Sequence, residues 1–323
     1  MRGQWSILVV GIMVYVCVLT RPAQSASLEE QVYVRSFDGA YVAAYLRIPE
    51  GPGPHPAIMF IHGGVGGQGK MKKASEGYVQ NHMFAEGFAV FQVDYRWAHF
   101  GDEELEDMVA CYRYLRSRPE IDPARVGVIG GSHGGYLTMM LATRETPAAV
   151  VAFAGLNDIV GVFYKQAAEL APTVEGDFDW RERRFHHGKT IREESELIES
   201  GELNPRAKLS KGAVRDVTED MASRWGTDVE LYKRYDPKYQ YSLIRSPLLY
   251  LVGSEDRWRT GGKEIIENLK KLGRTAEYSE HPEMGHGFYW GGRPDKDGNL
   301  PMEFYHALKK TTDFMRKWVK QEP

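Results

Sequence analysis

Cysteine, net charge and long apolar runs are all scarce in this 323-residue sequence. Two cysteines cannot provide the dense disulfide framework of a small secreted scaffold. Lys plus Arg (41) nearly balance Asp plus Glu (44), for a net charge of -3. That balance excludes an overall electrostatic attraction to nucleic acid or to an anionic membrane. The apolar fraction of 42% is typical of a folded globular protein.

The first 26 residues have the pattern of a secretory signal peptide. Arg2 provides a positive start, residues 7–19 form the apolar run, and small residues such as Ala23 follow it. The run is too short to span a bilayer comfortably. We therefore expect a secreted or periplasmic protein in which residues 27–323 form the mature domain, with no membrane contact after cleavage. An uncleaved N-terminal anchor is the alternative interpretation.

Apolar patterning predicts strands that alternate with helices after an antiparallel start. The strand-like runs 32–37 and 41–48 are separated by Asp38-Gly39, a strong hairpin signal. Further runs have the continuous hydrophobicity of strands buried on both faces, namely 57–61, 88–93, 125–129, 149–153 and 248–252. Helical periodicity lies between them, including 75–86, 133–144 and 302–319. This order predicts an α/β domain with a mostly parallel, doubly wound sheet.

Residues 156–243 interrupt this alternation. The segment is rich in Arg and Glu, has few strand-like runs and is far longer than an ordinary connection. We interpret it as a helical insertion that forms a lid over the active site. A surface elaboration unrelated to substrate is the alternative.

A G-x-S-x-G motif, Gly130-Gly-Ser-His-Gly134, joins the strand 125–129 to the helix 133–144. A nucleophile elbow needs this arrangement, because a tight, strained turn between strand and helix projects the serine above the sheet. We therefore predict that Ser132 is the nucleophile. The backbone N–H of His133 then points at the substrate carbonyl, as one donor of an oxyanion hole.

A second glycine-rich segment, His62-Gly-Gly-Val-Gly-Gly67, follows the buried strand 57–61. Glycines let the backbone approach a ligand closely. We predict the amides around Gly64 and Val65 as the second oxyanion donors, and a structural role for His62. A phosphate-binding loop is excluded, since the Lys-Ser/Thr that it needs is missing.

The acid and the base of a triad should follow the serine in chain order. Asp256 lies just past the buried strand 248–252, and Glu255 is its competitor. His286 lies on a later glycine-flanked loop, and His281 is the second choice. This mechanism needs neither a metal nor a cofactor.

Several of these segments together resemble the prolyl oligopeptidase family of serine peptidases. The matching strings are His62-Gly-Gly64, Val93-Asp-Tyr-Arg96, residues 121–136 with Gly-Gly-Ser-His-Gly-Gly-Tyr, Gly253-Ser-Glu-Asp256 and Gly285-His-Gly-Phe288. They cover roughly residues 30–155 and 240–320. The resemblance implies the α/β-hydrolase fold, favours Asp256 as the acid, and implies a serine-type peptidase acting on short peptides.

Other functions are compatible with the same residues. A carboxylic ester hydrolase, similar to dienelactone hydrolases or to sugar-ester esterases, would use the same triad. A catalytically silent hydrolase fold that acts as a binding module is the third hypothesis, and an intact Ser, Asp, His order argues against it. The expected partner is a small peptide or ester. The sequence leaves the oligomeric state open.

Overall fold

The computed structural model describes residues 27–64, 69, 71–96, 100–171, 217–290, 296–297 and 299–322. The strands are β1 Leu28–Arg35, β2 Tyr41–Ile48, β3 His55–Ile61, β4 Ala89–Asp94, β5 Ile121–Gly131, β6 Val150–Phe153, β7 Leu248–Gly253 and β8 Ala276–His281. The α-helices are α1 Met71–Ser75, α2 Tyr78–Ala85, α3 Asp102–Ser117, α4 His133–Arg144, α5 Lys165–Leu170, α6 Val217–Trp225, α7 Val229–Arg234, α8 Pro237–Gln240, α9 Arg259–Lys271 and α10 Met302–Met315. None of these helices is both long and apolar enough to cross a membrane.

The described strands form one sheet in the order β1-β2-β4-β3-β5-β6-β7-β8. β1 pairs antiparallel with β2, and β2 pairs antiparallel with β4. Every other pair is parallel. The predicted architecture, a mostly parallel sheet with antiparallel N-terminal strands, is confirmed. The predicted hairpin turn is also present, with Gly39 at a φ of 88° and the Ser36 N–H donating to the Ala40 carbonyl at 2.7 Å.

Two hydrophobic cores cover the two faces of the sheet. Successive residues of β3 alternate between them, with Met59 in one core and Phe60 in the other. Helices α3 and α4 pack on the Met59 side, whereas α9 and α10 contribute to the Phe60 side. Both faces are therefore dry, as expected for central strands that consist mostly of apolar residues.

The chain reverses its direction across the sheet at β3. From β3 it passes through α1 and α2 to β4 on one side, and then through α3 to β5 on the other side. Such a switch point leaves a crevice at the carboxyl ends of the two central strands, and ligands of open α/β sheets bind there. The fold thus places residues that follow β3 and β5 in one crevice.

Some element bounds differ from the prediction. The predicted helix 75–86 is two helices, α1 and α2, separated by the non-helical Gly77 that caps α2. The predicted strand 125–129 extends over the whole of β5, because both of its neighbours, β3 and β6, continue the pairing. The closing helix α10 ends at Met315 and continues as a wider π-helical turn, Arg316–Lys320.

A buried arginine ties the N-terminal hairpin to the central sheet. Arg96 follows β4, and only 1% of its surface is exposed. Its Nη1 donates to Asp38 Oδ2 in the hairpin turn at 2.7 Å, and its Nε donates to Asp107 Oδ2 of α3 at 2.8 Å. Burial of all three charges is tolerated because the guanidinium and the two carboxylates satisfy one another. The Asp-Tyr-Arg string that follows Val93 is thus partly architectural.

The described parts of residues 156–243 are helical, consisting of a π-helical turn at Val160–Tyr164, α5, α6, α7, α8 and a short 3-10 turn. Two segments lie outside the described residues. They are the signal peptide predicted for residues 1–26 and the insertion residues 172–216, which include His186 and His187. The fully buried carboxylate of Asp236 connects both ends of the insertion. It accepts hydrogen bonds from the Val160 and Lys238 N–H groups, each at 2.9 Å.

Replacing Asp236 with asparagine should change how stability depends on pH. Burial raises the pKa of Asp236 to about 7, opposed in part by the backbone hydrogen bonds that it accepts. A carboxyl with a raised pKa stabilises the fold below its unfolded pKa, and that contribution is lost as pH rises through the folded pKa. Asp236→Asn should therefore gain stability relative to wild type between about pH 4 and pH 8, by on the order of 2–4 kcal/mol.

Denaturant unfolding at several pH values measures this difference. Asp228→Asn removes a carboxylate from the exposed N-cap of α7 and controls for the substitution itself. A stability difference between Asp236→Asn and wild type that stays constant with pH would contradict the expectation.

Candidate active site

Ser132 occupies a strained turn between β5 and α4. Its backbone has a φ of 55° and a ψ of -121°, a combination that residues with a side chain rarely adopt. Such a conformation costs about 1–3 kcal/mol and persists only where the surroundings enforce it. Two hydrogen bonds do so here, from the Ser132 N–H to the Phe153 carbonyl (2.8 Å) and from the Tyr136 N–H to the Ser132 carbonyl (3.0 Å).

Glycines beside Ser132 allow the turn to pack directly against neighbouring backbone. A Cβ atom added at Gly134 would lie 2.1 Å from the Ile61 carbonyl oxygen at the end of β3. One added at Gly130 would lie 2.2 Å from the Gly134 carbonyl oxygen. Both distances are far below van der Waals contact with backbone atoms that cannot easily move. Both positions of the G-x-S-x-G motif therefore require glycine, because any side chain there would collide with the backbone.

The structure brings the three predicted triad residues together. His286 Nε2 lies 2.9 Å from Ser132 Oγ, and His286 Nδ1 lies 2.7 Å from Asp256 Oδ2. Because a carboxylate can only accept, Nδ1 carries the proton and Nε2 is left to accept from the serine hydroxyl. The other oxygen of Asp256 accepts from the Trp258 N–H at 2.9 Å. Asp256 is buried, whereas the His286 side chain is 44% exposed and borders the crevice.

The two competing residues have other surroundings. Glu255 is exposed, and its side chain makes no hydrogen bond to His286. His281 is buried at the end of β8, where its Nδ1 lies 2.8 Å from Glu303 Oε2. Burial lowers the pKa of His281, against the opposing effect of the hydrogen bond to Glu303. Neither residue therefore belongs to the hydrogen-bonded series of Ser132, His286 and Asp256.

The glycine-rich loop after β3 passes directly over the Ser132 turn. A Cβ atom added at Gly63 would lie 2.8 Å from the Gly131 carbonyl oxygen and 3.1 Å from Ser132 Cβ. Gly64 follows with a φ of 76°, which glycine adopts without strain. Val65 lies outside the described residues. His133 opens α4, and the first N–H groups of a helix have no acceptor within the helix. The peptide groups of Gly64 and His133 thus flank Ser132.

Two buried residues that the sequence analysis did not single out hold this loop. Asp94, at the end of β4, accepts from the Gly69 N–H at 2.7 Å and lies 3.3 Å from His62 Nε2. The Tyr95 hydroxyl lies 3.0 Å from the carbonyl oxygens of both His62 and Gly64. His62 also stacks on the Tyr95 ring, with centroids 4.7 Å apart. The string Val93-Asp-Tyr-Arg96, one of the segments that resemble the family, was the available sequence signal.

A buried carboxylate supports the other side of the elbow. Glu104 of α3 is completely buried and lies 2.8 Å from His133 Nε2. It also accepts from the Phe100 N–H at 3.1 Å. The His133 imidazole is thereby directed away from Ser132 into the α3 interface, which leaves the backbone of His133 beside the crevice.

Two cavities border Ser132 and His286. The first has a volume of about 420 Å³ and is lined by the loop glycines, by Tyr78, Tyr289 and Trp290, and by Gln80 and Gln92. The second has a volume of about 550 Å³ and is lined by Phe100, Phe163, Trp258, Glu255 and Arg257, among others. Gly64 borders both. A bond held over Ser132 therefore has space on each side for one part of a substrate.

Metal ligation has no structural basis in the part of the chain that is described. There, no three His, Cys, Asp or Glu side chains are grouped so that they could hold an ion. The arrangement that is present, a hydroxyl next to an imidazole that is oriented by a buried carboxylate, suits attack of a serine on a carbonyl carbon.

Replacing Gly134 with alanine tests the steric account of the elbow. The new Cβ would collide with the Ile61 carbonyl oxygen, so we expect Gly134→Ala to lose about 2 kcal/mol or more of unfolding free energy. Gly285→Ala is the matched control, because a Cβ there meets nothing within 4 Å. Chemical denaturation measures both. Equal stability of the two variants would contradict the close packing.

Comparisons with known proteins agree with this fold. The BD-FAE family model matches residues 46–180. The uncharacterized peptidase YuxL of Bacillus subtilis (strain 168) is 30% identical over 83% of this chain, and the chain spans 37% of the length of that relative.

Two solved structures cover most of the chain. Carboxyl esterase 2 of Tuber melanosporum has a TM-score of 0.61 at 18% identity, with 94% of this chain and 89% of that chain covered. The Pyrococcus horikoshii acylaminoacyl peptidase has a TM-score of 0.59 at 16% identity, with 93% and 43% covered. The resemblance drawn from the sequence motifs is confirmed by the similarity to proteins named peptidases and by the shared fold. The chain has the α/β-hydrolase fold, and it is similar in sequence to a peptidase and in fold to both a peptidase and an esterase.

Proposed function

We propose that this chain is a serine hydrolase that cleaves its substrate through an acyl-enzyme intermediate. The observation that carries the proposal is the continuous hydrogen-bonded series from Ser132 through His286 to Asp256, with contacts of 2.9 and 2.7 Å. A nucleophile, a base within reach of it and a group that orients the base are the three roles that this chemistry requires.

In the first half-reaction His286 takes the proton of Ser132 as the serine oxygen attacks the substrate carbonyl. Asp256 keeps the imidazole in the productive tautomer and stabilises the imidazolium that forms. The backbone amides of His133, Gly64 and Val65 serve as the oxyanion hole. His286 then passes its proton to the leaving group, and water cleaves the acyl-enzyme by the same steps in reverse.

Peptide bonds are the first candidate substrate, in the manner of prolyl oligopeptidase-type peptidases that act on short peptides. A sequence relative that matches 83% of this chain is named a peptidase. Carboxylic esters are the second candidate. This alternative is favoured by the match to a carboxyl esterase, of which this chain covers 89%.

Export is a separate proposal. It rests on the charge and hydropathy pattern of residues 1–26. A lid function for the insertion 156–243 is likewise proposed, because the insertion lies between β6 and β7 in the chain and its residue Phe163 lines the second cavity beside Ser132.

Labelling with a fluorophosphonate probe tests the nucleophile. Purified wild type should be labelled, and Ser132→Ala should not be. Ser279→Ala is the matched control, because Ser279 Oγ also lies near an imidazole, 3.3 Å from His281 Nε2. Absence of label on well-folded wild type, or label that persists in Ser132→Ala, would overturn the proposal. The same proteins, assayed on a nitrophenyl ester and on an aminoacyl nitroanilide, decide between esterase and peptidase.

Amide variants of two carboxylates test the orienting residue. Asp256→Asn should lower kcat by about 10⁴-fold, because the asparagine would favour the wrong imidazole tautomer. Glu283→Gln, exposed on the loop that leads to His286, should change kcat less than about threefold, because Glu283 lines neither cavity beside Ser132. Steady-state kinetics on the preferred substrate measure both. Similar losses in the two variants would rule out the assigned role of Asp256.

A further inference from the structure

The first cavity beside Ser132 combines an aromatic wall with a buried pair of amides. Tyr78, Tyr289 and Trp290 form the wall, and Gln80 and Gln92 are the amides. Among the described residues that line this cavity, none is Lys, Arg, Asp or Glu. An apolar pocket with a few fixed polar groups is the usual composition of a site that binds a small organic molecule.

The amide pair is buried where the fold alone would favour apolar side chains. Gln92 is fully buried within β4, between Phe91 and Val93. Its Nε2 donates to the Phe60 carbonyl at 3.2 Å, and its Oε1 accepts from Gln80 Nε2 at 3.1 Å. Gln92 therefore fixes the orientation of Gln80, which is itself only 6% exposed.

One strong acceptor of this pair remains available to a ligand. In the described part of the chain, Gln80 Oε1 accepts no hydrogen bond, while Nε2 is engaged with Gln92. A Cβ atom added at Gly77 would lie 2.6 Å from Gln80 Oε1, and Gly77 lines the same cavity. The acceptor thus lies at the cavity wall, over a position without a side chain.

We propose that this cavity is a substrate subsite for a neutral hydrogen-bonding group, a hydroxyl or a carboxamide, carried at the end of an apolar body. Gln80 Oε1 accepts the hydrogen bond, Gln92 positions Gln80, and the aromatic wall contacts the apolar body. The inference rests on the proposed serine hydrolase function, since the cavity opens onto Ser132. A site built around a hydrogen bond discriminates strongly against an analogue that lacks the donor.

The second cavity is lined by charged residues, so the proposed subsite for a neutral group is assigned to the first cavity. Glu255 and Arg257 both line the second cavity, and the Arg257 guanidinium lies 4.5 Å from the centroid of the Trp258 ring. Among the described lining residues, charged side chains that could pair with a charged substrate group therefore lie on that side of Ser132 and not on the Gln80 side.

Two series of esters test the subsite on the full-length mature protein. In the first series, the acyl part of a para-nitrophenyl ester is either para-(hydroxymethyl)phenylacetyl or para-ethylphenylacetyl. In the second, the alcohol part of an acetate is either para-(hydroxymethyl)benzyl or para-ethylbenzyl. Each pair differs only by a hydroxyl in place of a methyl group. The measured quantity is the ratio of kcat/KM for the hydroxyl over the methyl member.

In one of the two series, wild type should prefer the hydroxyl member, and Gln80→Met should lower the ratio by about tenfold. A purely structural role for Gln80 would lower both rates together and leave the ratio unchanged. Gln240→Met is the matched control, because Gln240 donates to the Lys233 carbonyl and lines neither cavity. Gly77→Ala is the second variant, since its Cβ would displace the Gln80 oxygen without removing it, and it should lower the same ratio.

The outcomes separate the two proposals. If fluorophosphonate labels Ser132 and esters are cleaved, but Gln80→Met and Gly77→Ala keep the wild-type ratio in both series, the subsite is wrong and the hydrolase function stands. If neither labelling nor cleavage occurs in well-folded wild type, the proposed serine hydrolase function is wrong, and the subsite proposal that rests on it is overturned with it.

Discussion

The close approach of three backbone segments at Ser132 is the constraint on which the rest of the site depends. The end of β3, the end of β5 and the start of α4 meet at distances that leave no room for a Cβ atom at Gly134 or Gly130. This packing, with the hydrogen bond from Ser132 to Phe153 in β6, holds the serine at a φ of 55°. The strain is local, and the buried sheet on which it rests is large enough to sustain it.

Sheet topology then determines which other residues can reach the serine. The reversal of strand order at β3 opens the crevice, and the loops after β7 and β8 extend from the same edge of the sheet to reach Ser132. Asp256 and His286 come from the loops that follow these two strands. Behind the crevice, buried polar residues support the segments on both sides of Ser132. Asp94 and Tyr95 hold the glycine-rich loop, and Glu104 holds the imidazole of His133.

The two cavities differ in chemistry although they share Ser132, His286 and Gly64 as a common border. One offers aromatic rings and a neutral amide pair, and the other offers a guanidinium, a carboxylate and further aromatic rings. Under the proposed function both halves of the substrate are bound beside Ser132, so each half meets a different set of side chains. That asymmetry arises from β4 and α2 on one side and from the loop after β7 on the other.

Local sequence determined the strand and helix order, the antiparallel start and the position of the elbow, because each depends on periodicity or on a short motif with a steric cause. The elbow motif, chain order and the family resemblance together selected Ser132, His286 and Asp256 as candidates that the structure then placed in contact. Chain order by itself did not exclude Glu255 or His281, because Glu255 follows β7 and His281 ends β8 at the same edge of the sheet. Only tertiary structure decided that Glu255 faces solvent and that His281 contacts Glu303. The roles of Asp94, Glu104 and the Gln80–Gln92 pair were equally hidden, since each depends on a partner from a different part of the chain that folding brings within hydrogen-bond distance.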